Sequence, residues 1–424
     1  MKLVKMSLAT AVLLGASAFA IDNVKVSGDA KLYYNTDNVD KAAGTSSDGL
    51  FGKANSVGDT ALRIAATGDL TKGVSFGATG YAVSTLGIEN NLVSNTWAGS
   101  RNGTKDNSWI GELWIAATAG KTTAKVGRME LDTPLVFSEK WSIVPNTFSG
   151  AVLINQDLPN TTLVGAWVGQ GNGLNTVGTE NNNSVGWDYM GNDFGTFVKS
   201  GAYAAGAINN SFKPLVAQAW YYNVSEVADA YWLQADWDCQ LIKGVKVGVQ
   251  YSKMDPKGVL SAQKDSDAYA FKVAYEGIDK LVLSAAYSSA DEDNGLLEIA
   301  NVATDNRGRY TSANGKFGAQ SKLYTEAWWN YGYVGQAGAD TVTLAAAYDA
   351  GFAKLYAQYT DISVQPTPSS TTDVVEVTLT ATKSYGPLDT TLAYISTDAT
   401  DQNTVNNAGG KRYDTVQAYL TLNF

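Results

Sequence analysis

The 424-residue sequence contains no histidine. Without imidazole there is no Ser-His-Asp or Cys-His nucleophile and no His-ligated metal. Cys239 is the single cysteine, so no disulfide forms within the chain. Prolines number 8, and no Pro-rich linker or change of composition divides the chain. Beyond the first 20 residues no run reaches the roughly 18 apolar residues that a spanning helix needs. Mean hydropathy is -0.14. Basic side chains are the minority, with 31 Lys and Arg against 41 Asp and Glu and only 6 Arg. A nucleic-acid partner is excluded on that balance.

What is present points to export and to sheet. Lys2 and Lys5 precede an apolar run from Leu8 to Gly15, and Ala18-Phe19-Ala20 fits the small-x-small cleavage rule. Cleavage is expected after Ala20, leaving a chain from Ile21 as one domain, 21–424. Losing two lysines takes the charge from -10 to -12 (29 basic against 41 acidic), which favours a negative lumen or outer surface. The 42 Gly, 23 Tyr, 12 Phe and 11 Trp, with many Thr and Val, suit pleated surfaces.

The pattern is a series of period-2 segments of about ten residues, separated in turn by tight turns and long polar loops. That is the sequence signature of an all-β transmembrane antiparallel barrel. Tyr231, Leu233, Ala235 and Trp237 alternate with Trp232, Gln234, Asp236 and Asp238. Val245, Val247, Val249 and Tyr251 alternate with Lys246, Gly248, Gln250 and Ser252. Near the start, Leu62, Ile64 and Ala66 are expected outward and Arg63 inward. Tyr251, Tyr275 and Tyr287 end outward faces where an aromatic girdle would sit. Strands are expected near residues 23, 60, 73, 108, 122, 151, 161, 195, 214, 229, 245, 267, 280, 341, 353, 373, 388 and 413. The count is 18, with 16 or 20 as alternatives because Tyr324–Val334 reads as a further strand. An even count places both termini on the periplasmic side. Cys239 falls on an outward face near a turn and is assigned no chemistry.

The final strand alternates Val416, Ala418, Leu420, Leu422 and Phe424 with Thr415, Gln417, Tyr419, Thr421 and Asn423. Tyr419, Leu420, Leu422 and the terminal Phe424 resemble the signal read by the barrel-assembly machinery. An edge strand of a soluble sheet would be blunted by charge or proline.

A barrel of this size encloses an aqueous lumen unless something narrows it. The candidate is Val126–Gly150, which carries Arg128, Glu130, Asp132, Glu139 and Lys140. Folded inward, it would set these charges across the lumen with Arg63, Glu112 and Lys125 from nearby strands, and such rings set ion preference. An ordinary solvated loop is the competing reading, since mixed charge is common on surface loops. The polar stretch 290–323, with Asp291-Glu292-Asp293-Asn294, Arg307 and Arg309, is expected on an outer loop, folded inward or over the mouth.

Gly127-Arg128, Pro134 and Pro145-Asn146-Thr147-Phe148-Ser149-Gly150 resemble the third-loop region of the outer membrane porin D family and of its relative, the Campylobacter-type major outer membrane porins. The MKLVK opening and the terminal aromatic strand are similar to the latter group. The resemblance implies an 18-stranded barrel, a homotrimer, and the third loop as constriction. It also implies a Ca²⁺ site near the constriction, for which Glu130, Asp132 and Glu139 offer oxygen ligands. The porin D ladder of basic lumen residues is reduced here to Arg63, Lys125, Lys246, Lys272 and Lys354.

The expected function is an outer-membrane channel for passive diffusion of ions and small hydrophilic solutes, mildly cation-selective. A plugged surface barrel, acting as adhesin or structural protein, is the alternative. The outer-membrane phospholipase and omptin-like proteases use a catalytic histidine, so enzyme activity is not expected. No plug domain of the TonB-coupled type fits between Ile21 and the first strand.

Overall fold

Side chains on a strand alternate between faces, so an apolar-polar repeat buries itself only if one face meets lipid and the other a polar interior. The computed structural model describes residues 22–38, 49–88, 91–93, 106–140, 143–173, 194–196, 200–291, 298–302, 319–367, 370–398 and 412–424. The expected leader, Glu292, Asp293, Arg307 and Arg309 lie outside these residues.

The strands are β1 (Asp22–Asp37), β2 (Ser56–Thr71), β3 (Val74–Ser84), β4 (Asn107–Ala119), β5 (Thr122–Met129), β6 (Phe148–Asn155), β7 (Thr161–Gly171), β8 (Gly195–Thr196), β9 (Ala202–Asn209), β10 (Leu215–Val224), β11 (Ala228–Asp238), β12 (Val245–Pro256), β13 (Ser266–Ile278), β14 (Leu281–Ala290), β15 (Ala339–Asp349), β16 (Lys354–Thr367), β17 (Ser370–Tyr385), β18 (Leu388–Asp398) and β19 (Arg412–Asn423). Neighbours pair antiparallel, and β1 pairs with β19, which closes the barrel. The two-residue β8 touches only the end of β7, which pairs along its length with β9. Eighteen strands therefore span. The strand expected near 195 is this short bridge, and the spanning strand begins at Ala202. Tyr324–Val334 is no strand; it lies in the segment between β14 and β15 and holds a single 3-10 turn, Tyr331–Tyr333.

The outward faces are apolar and open, as at Leu233, Val249, Phe271 and Leu344. Tyrosines mark the rim of this band by carrying an apolar ring with a polar tip. On five strands the tip finds a carboxylate: the hydroxyls of Tyr221, Tyr251, Tyr287, Tyr359 and Tyr394 donate to Asp229, Asp267, Asp340, Asp361 and Asp414. Tyr275 sits at the opposite, turn-side end of β13.

Several large rings lie over glycines on the adjacent strand. Tyr81 covers Gly111, Trp114 covers Gly77 and Trp220 covers Gly206. The last such pair makes the seam. Phe424 and Gly28 exchange backbone hydrogen bonds of 2.8 and 2.9 Å. A Cβ on Gly28 would stand 2.6 Å from the Phe424 ring and 2.5 Å from the carbonyl oxygen of Arg63. The ring can swing; the backbone of β2 cannot. Gly28→Val should therefore destabilise closure by about 1–3 kcal/mol, the range for overpacking. A lowered midpoint in urea unfolding and a smaller heat-modifiable folded fraction are the expected results, and wild-type values would refute the seam assignment.

Candidate functional site

The loop between β5 and β6, described over residues 130–140 and 143–147, enters the barrel. It turns back on itself through a bridge between Asp132 and Phe137, with Ser138 N–H donating to the Leu131 carbonyl at 2.8 Å. Leu135 and Val136 at its tip are buried against Trp220, Tyr222, Val224, Ala228 and Met254 on the opposite wall. Ile143 and Val144 return to pack on Tyr33, Tyr81 and Trp109. Apolar residues at both bends thus fix a polar chain across the lumen.

A cluster of charges forms where this loop leaves β5. Arg63 donates from Nε to Asp29 across the β1–β2 pair. Lys31 flanks the same carboxylate at 3.9 Å. Glu112 accepts from the Thr79 hydroxyl at 2.9 Å and from the Glu130 N–H at 3.4 Å. It reaches the lumen because Gly111 forms a bulge that shifts the register between Thr79 and Gly80. Lys125 lies over the Trp114 ring at 4.1 Å. Glu130 pairs with Lys140 at 2.8 Å, and that hydrogen bond holds the Lys140 ammonium above its ordinary value. The side chains of Lys31, Arg63, Glu130 and Lys140 keep 29%, 33%, 27% and 68% of their surface accessible. These groups face water inside the barrel and are not packed away.

Of the expected residues, Arg63, Glu112, Lys125, Glu130 and Lys140 therefore converge. Arg128 does not. β5 continues through it, and three positions beyond the inward Lys125 places it on the outer wall, opposite Leu113. Its guanidinium donates to the Ile110 carbonyl and stacks over Phe194 at 4.0 Å. Asp132 pairs with Lys322. Glu139 is buried, accepting from Asn301 Nδ2 at 3.2 Å and from the Gln320 N–H at 3.4 Å. Glu130, Asp132 and Glu139 thus serve three separate partners. Among the described residues no three acidic, His or Cys side chains converge on a point, so these three do not fit a shared Ca²⁺ site.

The segment before β15 also lies inside, and no motif within it points to its anchors. Asn301 and Phe137 exchange hydrogen bonds of 2.8 and 3.2 Å, which joins it to the third loop. Residues 319–338 then run along the wall, where one inward polar side chain after another holds them. Gln250 bonds both the Lys322 carbonyl and the Tyr324 N–H. Ser288 and Thr343 take Thr325, Gln358 takes the Glu326 carbonyl, Glu376 takes the N–H groups at 328–330, and Gln417 takes Trp328 Nε1. Burial pushes the Glu326 carboxyl well above its ordinary value, against bonds from Ser321 that favour the charge. The inserted segment covers the β12–β19 wall, while accessible charges remain on β1 and β2 beside the third loop.

Residues 1–255 match the model of the Campylobacter major outer membrane protein family. The chain belongs to that family. Solved structures with the same fold come from Pseudomonas aeruginosa. OccK8 (OprE) is 14% identical with a TM-score of 0.67, covering 95% of this chain and 98% of that one. OpdK with vanillate is 13% identical, TM-score 0.68, covering 95% and 98%. OccK9 (OpdG) is 12% identical, TM-score 0.69, covering 95% and 99%. No curated protein matches. Family and fold make this an outer-membrane porin of a Gram-negative bacterium.

Proposed function

We propose that the barrel is a passive diffusion channel for ions and small hydrophilic solutes, with a mild cation preference and no catalytic role. The observation that carries this reading is the charge cluster shared by β1–β5 and the inserted loops. Its basic members are Lys31, Arg63, Lys125, Lys140 and, from the 319–338 segment, Lys322, and its acids are the buried Asp29 together with Glu112, Glu130 and Asp132. The balance is +1 (5 minus 4), so the constriction itself does not select strongly. The cation preference comes from the net charge of -12 on the chain from Ile21 (29 basic against 41 acidic), which concentrates cations at the mouths. Neutralising Glu130 and Asp132 moves the cluster to +3 (5 minus 2). Planar-bilayer recordings in a salt gradient should show a cation-side reversal potential for wild type and a shift toward anions for the double variant. An unchanged potential would remove the third loop from the conduction path. A silent wild type would favour the plugged, structural barrel, a reading that the two inward loops support.

The outer wall has one arc unlike the rest. On β2–β6 no outward position is Tyr or Trp, and Leu62, Ile110, Leu113, Ile115, Val126 and Leu153 form an open aliphatic face. A girdle-free face beside an outward Arg128 suits contact with further copies better than contact with lipid, and supports the homotrimer. Lipid covers the remaining arc. The leader 1–20 fits export before insertion by the assembly machinery, which would read Tyr419, Leu420, Leu422 and Phe424. Native mass spectrometry of detergent-purified protein should give a chain starting at Ile21 and an assembly of three; a retained leader or a monomer would contradict these two points.

A further inference from the structure

Glu376 on β17 is completely buried. Its carboxylate accepts from three consecutive backbone N–H groups, Trp328 at 2.9 Å, Trp329 at 3.1 Å and Asn330 at 2.7 Å. It also accepts from Asn330 Nδ2 at 2.8 Å and from the Thr378 hydroxyl at 2.9 Å. No lysine or arginine is among these partners. The charge is held by peptide and side-chain dipoles alone, in the manner of an anion nest. Here the anion belongs to the barrel and the nest to the inserted segment.

The two sides need each other. A carboxylate in such a place is stable only with its donors present, and three successive N–H groups are left buried and unpaired without it. The other wall anchors, Gln250, Ser288, Thr343, Gln358 and Gln417, are uncharged. Hydrogen bonds to an ionised acceptor are about twice as strong as neutral ones, so Glu376 is the principal fastening. Next to it, Trp328 Nε1 reaches Gln417 at 3.0 Å and Asn330 Nδ2 reaches Thr397 at 3.0 Å. One turn of chain is thereby fixed to three consecutive strands, β17, β18 and β19. Farther along, the Lys322–Asp132 pair braces the third loop against the same segment.

We infer that Glu376 is the positioning residue of the constriction. It holds residues 319–338 against the β12–β19 wall, keeps that half of the lumen closed, and confines solutes to the charged β1–β5 side. The inference rests on the barrel being an open channel. Without the clamp the segment leaves the wall and the lined, polar half behind it admits water.

The test uses the full chain in two readouts. In planar bilayers Glu376→Ala should raise single-channel conductance about two-fold, as the open section grows from one half of the lumen toward the whole. Glu376→Gln keeps an acceptor oxygen and should give a smaller rise. In a Cys239→Ser background, Thr360→Cys, buried beside Thr343 and opposite Glu376, should resist a water-soluble thiol reagent, becoming reactive only when Glu376→Ala is added. Wild-type conductance together with a still-protected position 360 would overturn the inference. If Glu376→Ala does not assemble, Glu376→Gln decides it by the same two readouts, and an unchanged pair of values again overturns it. A silent wild type would defeat the channel reading, while the thiol readout would still decide the clamp.

Discussion

Hydrocarbon offers no partner for a free N–H or C=O, and each one left open there costs several kcal/mol. A sheet in lipid therefore cannot have an edge. The pairing of β1 with β19, from Asp29 opposite Asn423 to Asp37 opposite Thr415, is the constraint on which everything else depends. It fixes the strand count as even, sends every second side chain inward, and creates an enclosed volume. Gly28 and Phe424 form the point where that seam is tightest.

An enclosed volume of this size must be filled or conduct. Here it is partly filled. The third loop is held by apolar residues at its two bends, and the 319–338 segment by hydrogen bonds to a row of inward Gln, Ser, Thr and Glu side chains. The difference in fastening has a physical reason. A loop tip bearing Leu135 and Val136 can bury against Trp220 and Met254, whereas a chain lying lengthwise on a polar wall must satisfy its own backbone groups. Accessible charge remains beside the third loop on β1–β5, at Lys31 and Arg63.

Much of the barrel was legible from alternation. The inward and outward sets of β11, β12 and β19 are as the period-2 pattern places them, because lipid on one side and water on the other leave register no freedom. The strand expected near 195 failed because Gly195–Thr196 has too little sequence to show a period. The Tyr324–Val334 stretch imitates a strand by its aromatics, which here serve to fill the lumen. At the site, Arg63 and Lys125 followed from parity; the same parity puts Arg128, three residues past Lys125 on β5, on the opposite face. Glu112 faces inward only through a bulge at Gly111, which alternation cannot reveal. Asp29 and Lys31 share one face of β1, but their meeting with Arg63 depends on cross-strand register. Glu376 and Gln417 carried no signal beyond one inward polar residue per strand, since their partners lie some 46 and 89 positions away.

The proposed path takes solutes along the β1–β5 wall beside the third loop. Single-channel recording of cysteine variants in the Cys239→Ser background, before and after a charged thiol reagent, maps that path. Modification at Lys31→Cys or Glu112→Cys should lower the current in discrete steps, and modification at Arg128→Cys on the outer wall should leave it unchanged. Block at position 128, or no block at positions 31 and 112, would rule that path out.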